Sequence, residues 1–89
     1  MNILEVIPLE SILAVLPISL IEKSTYYVGL CPFHNEKNPS FSIKKDGGYY
    51  KCFSCGEKGS IEKLFKELMN KDIKEYFDIN NYDSLIFKN

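Results

Sequence analysis

The chain's three cysteines and single histidine fall into two short pairs. They are Cys31-Pro-Phe-His34 and Cys52-Phe-Ser-Cys55. Two such pairs, separated by about one hairpin's length of chain, make the spacing of a structural zinc site. Stray buried thiols and a surface histidine would not all be gathered into pairs two residues apart. Zinc takes four ligands in a tetrahedron, with sulfur at about 2.3 Å and nitrogen at about 2.0–2.1 Å. Two intervening residues let a tight turn aim both side chains at one point. Three thiolates and one imidazole, from Cys31, His34, Cys52 and Cys55, leave no position open. One such ion would hold structure and activate no water. Disulfides are the competing use of cysteine. An odd count, a histidine in the fourth place and no secretory signal oppose them, and point to the reducing cytoplasm.

These ligands need short elements to bring them together. Tyr26-Tyr-Val-Gly-Leu30 is β-prone and leads into the first pair. Phe41-Ser-Ile-Lys44 alternates apolar and polar, as a half-buried strand does. Asp46-Gly47-Gly48 is a hairpin turn signal, and Tyr49 to Phe53 returns as the partner strand. Alternation places Phe41 and Ile43 on one face, with Ser42 and Lys44 on the other. Tyr49 and Lys51 likewise oppose Tyr50 and Cys52, so one tyrosine packs beneath the metal and the other meets solvent. Pro8 to Leu16 reads as a short helix stopped by Pro17, with Ile12, Leu13 and Leu16 on its apolar face. Ser60 caps a second helix from Ile61 to about Asn70, with Ile61, Leu64, Phe65 and Leu68 at helical spacing. A capping box is missing because Lys63 stands where the glutamate would be. Lys71 to Phe77 forms a further helical turn. The tail, 78–89, is expected to be loosely ordered.

At 89 residues the chain is one small domain, whose core is marginal without a staple such as a metal. The apolar run from Ile12 to Ile21 is broken by Pro17 and Ser19 and is far shorter than the roughly 20 residues of a membrane span. It also lacks the basic flank of an export signal. The formal net charge of −1 hides an asymmetry. Residues 1–22 carry Glu5, Glu10 and Glu22 and no base. Residues 23–58 carry six lysines against three acids. The basic segment therefore coincides with the expected zinc segment, as phosphate contact would require. The chain has no arginine, so bidentate guanine readout is excluded.

The stretch Gly29-Leu-Cys-Pro-Phe-His-Asn-Glu-Lys-Asn-Pro-Ser-Phe41 is more specific than the ligand pairs alone. With Tyr50-Lys-Cys-Phe-Ser-Cys-Gly56, Gly59 and a following helix, it resembles the zinc-binding domain of bacterial and phage DnaG-type DNA primases. The resemblance covers roughly residues 3–77. It implies a small α+β fold: a zinc ribbon with a short antiparallel β-sheet flanked by N- and C-terminal helices. The expected domain is 1–77, with the ribbon at 26–59 and the second helix at 60–70. In that family the domain binds single-stranded template DNA and assists a catalytic domain in starting an RNA primer. The family's basic loop before the first knuckle is reduced here to Leu20-Ile-Glu-Lys-Ser-Thr-Tyr26, with Lys23 as its one base.

A short sheet with aromatics and lysines between its knuckles can stack bases and neutralise phosphates. Lys37, Pro39, Lys44, Lys45, Tyr49 and Lys51 are the residues expected to touch DNA, chiefly because of the resemblance. Phe33, Phe41, Tyr50 and Phe53 can instead be core, and Phe33 and Phe53 are expected there because a ribbon has few other residues to bury. The leading reading is a non-catalytic, zinc-stapled module for single-stranded DNA in a DnaG-like priming apparatus. Its catalytic domain or a replicative helicase would come from another chain. The rival reading is a zinc-ribbon adaptor that binds a primase, helicase or other replication protein and touches DNA little. The acidic first helix and the reduced basic loop favour the rival. An independent zinc enzyme is disfavoured because the thiolates close the site and the histidine is a ligand.

Overall fold

A computed structural model describes residues 3–33 and 38–77. The chain opens with a single 3₁₀ turn, Ile3–Glu5, and then helix α1, Leu9–Val15. Pro8 lies just outside α1, at φ −59° and ψ 146°, where its missing N–H costs no helical bond. Its carbonyl accepts from the amides of Ser11 and Ile12 at 3.0 and 3.3 Å. Leu16 is extended at ψ 143°, as the residue before a proline must be, and α1 ends there.

Five strands follow in an antiparallel sheet whose spatial order is the chain order: β1 Leu20–Glu22, β2 Tyr26–Gly29, β3 Phe41–Lys44, β4 Tyr50–Cys52 and β5 Lys58–Gly59. Strands β2, β3 and β4 lie where the alternation and turn signals place them. The β3–β4 turn needs two left-handed residues, supplied by Gly47 and Gly48 at φ 88° and 69°. A Cβ on Gly47 would also lie 2.8 Å from the Tyr49 ring. Strands β1 and β5 carry no alternation or turn signal of their own in the sequence. The segment expected as a loop, Leu20 to Tyr26, folds back so that Ile21 faces Val28 and Glu22 faces Tyr27. Strand β5 is the return of the second knuckle, setting Gly59 against Tyr50 and Lys58 against Lys51.

The sheet has one buried and one open face. Tyr27, Phe41, Ile43, Tyr50 and Cys52 project into a single core. Ile12 and Leu13 of α1 meet them there, together with Ile61, Leu64 and Phe65 from helix α2, Ile61–Met69. Burying each large side chain contributes about 1.5–3 kcal/mol. The Ser60 hydroxyl caps α2 by accepting from the Lys63 amide at 3.3 Å. Asn70 ends the helix in the left-handed conformation, at φ 58°. A short helix α3, Ile73–Tyr76, folds back and buries Ile73, with Tyr76 edge-on to Phe65 at 5.4 Å. This is the further helical turn expected from the sequence. The tail at 78–89 lies outside the described residues. Among the described residues no helix is long and apolar enough to cross a membrane.

Candidate metal centre and open sheet face

The sheet register brings the cysteines together. Phe41 of β3 faces Gly29 of β2 on one side and Cys52 of β4 on the other. Cys31, two residues beyond Gly29, therefore emerges at the same end of the sheet as Cys52. The second knuckle closes through the Gly56 amide, which donates to the Cys52 carbonyl at 2.9 Å. Gly56 takes φ 79°, which favours glycine, and turns the chain back so that Glu57 returns beside Cys52. The Cys52 amide donates to the Glu57 carbonyl at 2.8 Å, and the Phe53 amide to the Ser40 carbonyl at 2.9 Å.

The Sγ atoms of Cys31, Cys52 and Cys55 all lie within 4.8 Å of one another. Those of Cys31 and Cys55 are 3.7 Å apart. Two sulfurs held about 2.3 Å from one zinc at tetrahedral angles are about 3.8 Å apart, so the spacing fits a shared ion. It is far longer than a disulfide, and all three thiols are free. Burial pushes the Cys31 thiol up to about 12, against a hydrogen bond from the Phe33 backbone. Burial also opposes ionisation of Cys52. Hydrogen bonds from the backbone of Cys55 and Ser54 and from the Ser40 hydroxyl outweigh it and bring that thiol down to about 7. Ser40 Oγ lies 3.5 Å from the Cys52 sulfur and accepts a hydrogen bond from the Ser54 hydroxyl at 2.8 Å. A divalent cation favours the thiolate at every position, including the buried Cys31. His34 and Lys37 lie outside the described residues.

The two tyrosines divide between the buried and the open side as alternation requires. Tyr50 is 2% exposed and Tyr49 60%. Phe33 packs on Tyr50 and Phe41 with ring centroids 6.0 and 6.4 Å away. Phe53 corrects the expectation, being 69% exposed rather than core. The reason is the two-residue period of β4. With Tyr50 and Cys52 turned inward, Lys51 and Phe53 must point outward. Lys51 Nζ then lies 5.1 Å from the Phe53 ring centroid.

Across the open face Val28, Ser42, Lys51 and Lys58 form one row, and Tyr26, Lys44 and Tyr49 the next. A shallow groove of about 600 Å³ runs between Tyr26, Val28, Pro39, Ser42, Lys44 and Phe53. A second, of about 520 Å³, shares Ser42, Lys44 and Phe53 and continues past Tyr49 and Lys51 to Lys58. Among the described residues neither is lined by a carboxylate. Pro39, Lys44, Tyr49 and Lys51 thus come together on one surface. Lys45 is turned to the other face, where its Nζ is 2.6 Å from Glu22 and 5.4 Å from the Tyr27 ring centroid. Tyr26, Phe53 and Lys58 belong to the same surface and were missed. Alternation counted through the second knuckle would have found Phe53; Lys58 depends on the pairing of β5.

The chain is similar over part of its length to curated DNA primases of several bacteria. It is 44% identical to that of Lactococcus lactis over 50 residues, 56% of this chain and 8% of the relative. It is 63% identical to that of Clostridium acetobutylicum over 35 residues, 39% of this chain and 6% of the relative. With that of Rickettsia prowazekii it shares 38% over 58 residues, 65% of this chain and 10% of the relative. The chain thus matches a tenth or less of the length of these relatives. The family model described as the CHC2 zinc finger, the DnaG zinc ribbon, matches residues 2–82. With the clustered thiols and five-stranded sheet, the chain belongs to the CHC2 zinc finger family and is a ribbon built around a structural zinc ion.

Proposed function

We propose that this chain is the module of a DnaG-like priming apparatus that binds single-stranded template DNA. In this reading it catalyses nothing itself. His34 completes the zinc site with Cys31, Cys52 and Cys55, primer synthesis falls to a separate catalytic domain, and the protein partner is that domain or a replicative helicase. One observation carries the reading. The open sheet face presents the rings of Tyr26, Tyr49 and Phe53 and the ammonium groups of Lys44, Lys51 and Lys58, and among the described residues no carboxylate lines its grooves. Unpaired bases offer a π-face to exposed rings whatever their identity, and lysines meet the phosphates between them. Duplex DNA keeps its bases stacked on one another and offers this face only its backbone. Without arginine, preference among sequences would come from stacking and shape rather than from bidentate guanine contacts.

Fluorescence anisotropy with short labelled oligonucleotides at two salt concentrations tests the proposal. The expected Kd is micromolar or weaker, tighter for single strands than for duplex. The salt slope should be shallow, about −0.7 per phosphate contact. Purified chain with template and nucleotides should make no primer. Binding that is undetectable at low salt, or indifferent to Lys44, Lys51 and Lys58, would sink template reading and leave the adaptor role.

A further inference from the structure

A second surface lies at the opposite edge of the sheet. Strand β1 is an edge strand. The Lys23 amide donates to the Tyr26 carbonyl at 2.8 Å, so Lys23 points its backbone toward β2. Backbone direction alternates along an antiparallel strand, so Ile21 also points toward β2, and Leu20 and Glu22 point away. Among the described residues no backbone group pairs with that outer edge. Beside it runs a groove of about 400 Å³ between α1 and β1. Its floor is Leu13, Leu16, Ile18 and Leu20, and Glu10 and Glu22 stand on its rim. Both carboxylates act on the Tyr27 hydroxyl, whose pKa is raised by burial, then by Glu22, then by Glu10. Lys45 neutralises part of the Glu22 charge; no basic group among the described residues pairs with Glu10.

We infer that the β1 edge and the α1–β1 groove together take an extended segment of a partner protein, one carrying an apolar residue and, two positions along, a lysine or arginine. The segment would add as a sixth strand, exchanging backbone hydrogen bonds with Leu20 and Glu22. Side chains two positions apart on a strand share a face. The apolar one would lie on Leu13, Leu16 and Leu20, and the basic one would reach Glu10 and Glu22. Charge selects this occupant. Glu10 and Glu22 line the groove and no lysine among the described residues does, so a nucleic acid is repelled here and a basic segment attracted. A second copy of β1 would bring Glu22 instead of a base, and fits poorly. This surface is separate from the DNA face and does not depend on it.

The probe is an acetylated, amidated peptide Ser-Thr-Ile-Thr-Lys-Thr-Ser, titrated into the isotope-labelled, zinc-loaded chain and followed by amide NMR. Its partner probe replaces the lysine by glutamate. Shifts should centre on Leu20, Glu22 and the α1 amides, and the Leu20 and Glu22 amides should exchange more slowly with solvent. The glutamate peptide should bind more weakly, and Glu10→Lys and Glu22→Gln should each weaken the lysine peptide by about threefold. An oligonucleotide should leave these amides unmoved. No shift at millimolar peptide, equal binding of both peptides, or shifts centred on the open sheet face would overturn the inference. Concentration-dependent shifts of the β1 amides without peptide would also overturn it, by assigning the edge to a second copy.

Discussion

The two surfaces of this ribbon share one sheet and differ in almost everything else. The open face carries three exposed rings and three lysines, with no acid among the described residues lining its grooves. The α1–β1 edge has an apolar floor, two glutamates on its rim and a strand edge that no other described residue pairs with. Averaged over the chain these charges nearly cancel, to −1. A net charge therefore says little about a domain of this size. What matters is that strand alternation and the turn back into β1 sort opposite charges onto separate surfaces. One surface suits stacked bases and phosphates; the other suits a basic, extended polypeptide.

Zinc removal should have the largest effect and tests whether the two surfaces are one folding unit. One ion per chain is expected, supplying on the order of 10 kcal/mol of folding free energy. Chelation should abolish amide dispersion across the whole sheet, β1 included. A metal-free chain that keeps native dispersion, or loses it only around the knuckles, would break the coupling between the surfaces.

The adjacent tyrosines separate packing from recognition. Tyr50→Ala empties a fully buried site between the sheet and its helices and should cost about 3–5 kcal/mol of stability. Urea unfolding of the zinc-saturated protein measures it. Tyr49→Ala and Phe53→Ala should leave unfolding almost unchanged while weakening single-strand binding by about 1–3 kcal/mol each. Anisotropy on the same samples checks this. If Phe53→Ala proves as destabilising as Tyr50→Ala, that ring belongs to the core after all.

A smaller effect of opposite sign is expected at the Tyr50 hydroxyl, which is buried with no hydrogen-bond partner among the described residues. Tyr50→Phe removes that polar atom at nearly constant shape and should raise stability by about 1 kcal/mol. The urea midpoint should move upward, with DNA binding unaltered.

The neighbouring lysines give the finest contrast. Lys44→Ala should lower the salt slope of DNA binding by about 0.7, the share of a single phosphate contact. Lys45→Ala should leave the slope nearly untouched, because its ammonium is held by Glu22 on the other face. Equal slopes for the two variants would mean that DNA reaches around the edge of the sheet.

The sequence by itself determined the zinc ligand types, the strands on either side of Gly47 and Gly48, both main helices and the inward turn of Phe41, Ile43 and Tyr50. Each follows from local rules: ligand chemistry, a turn that requires positive φ, a proline or serine at a helix start, or a period of two. Those rules act over a few residues, and little in this small domain overrides them. Only the tertiary structure decided β1 and β5. Their few residues carry no periodic signal and become strands by pairing with β2 and β4. That pairing also aligned Gly29, Phe41 and Cys52, which lets thiols 24 residues apart approach to 3.7 Å. It turned Lys45 onto Glu22 and away from Lys44, and set Phe53 and Lys58 on the open face. Which side chains share a surface depends on the register between strands distant in sequence, and register is a property of the folded sheet.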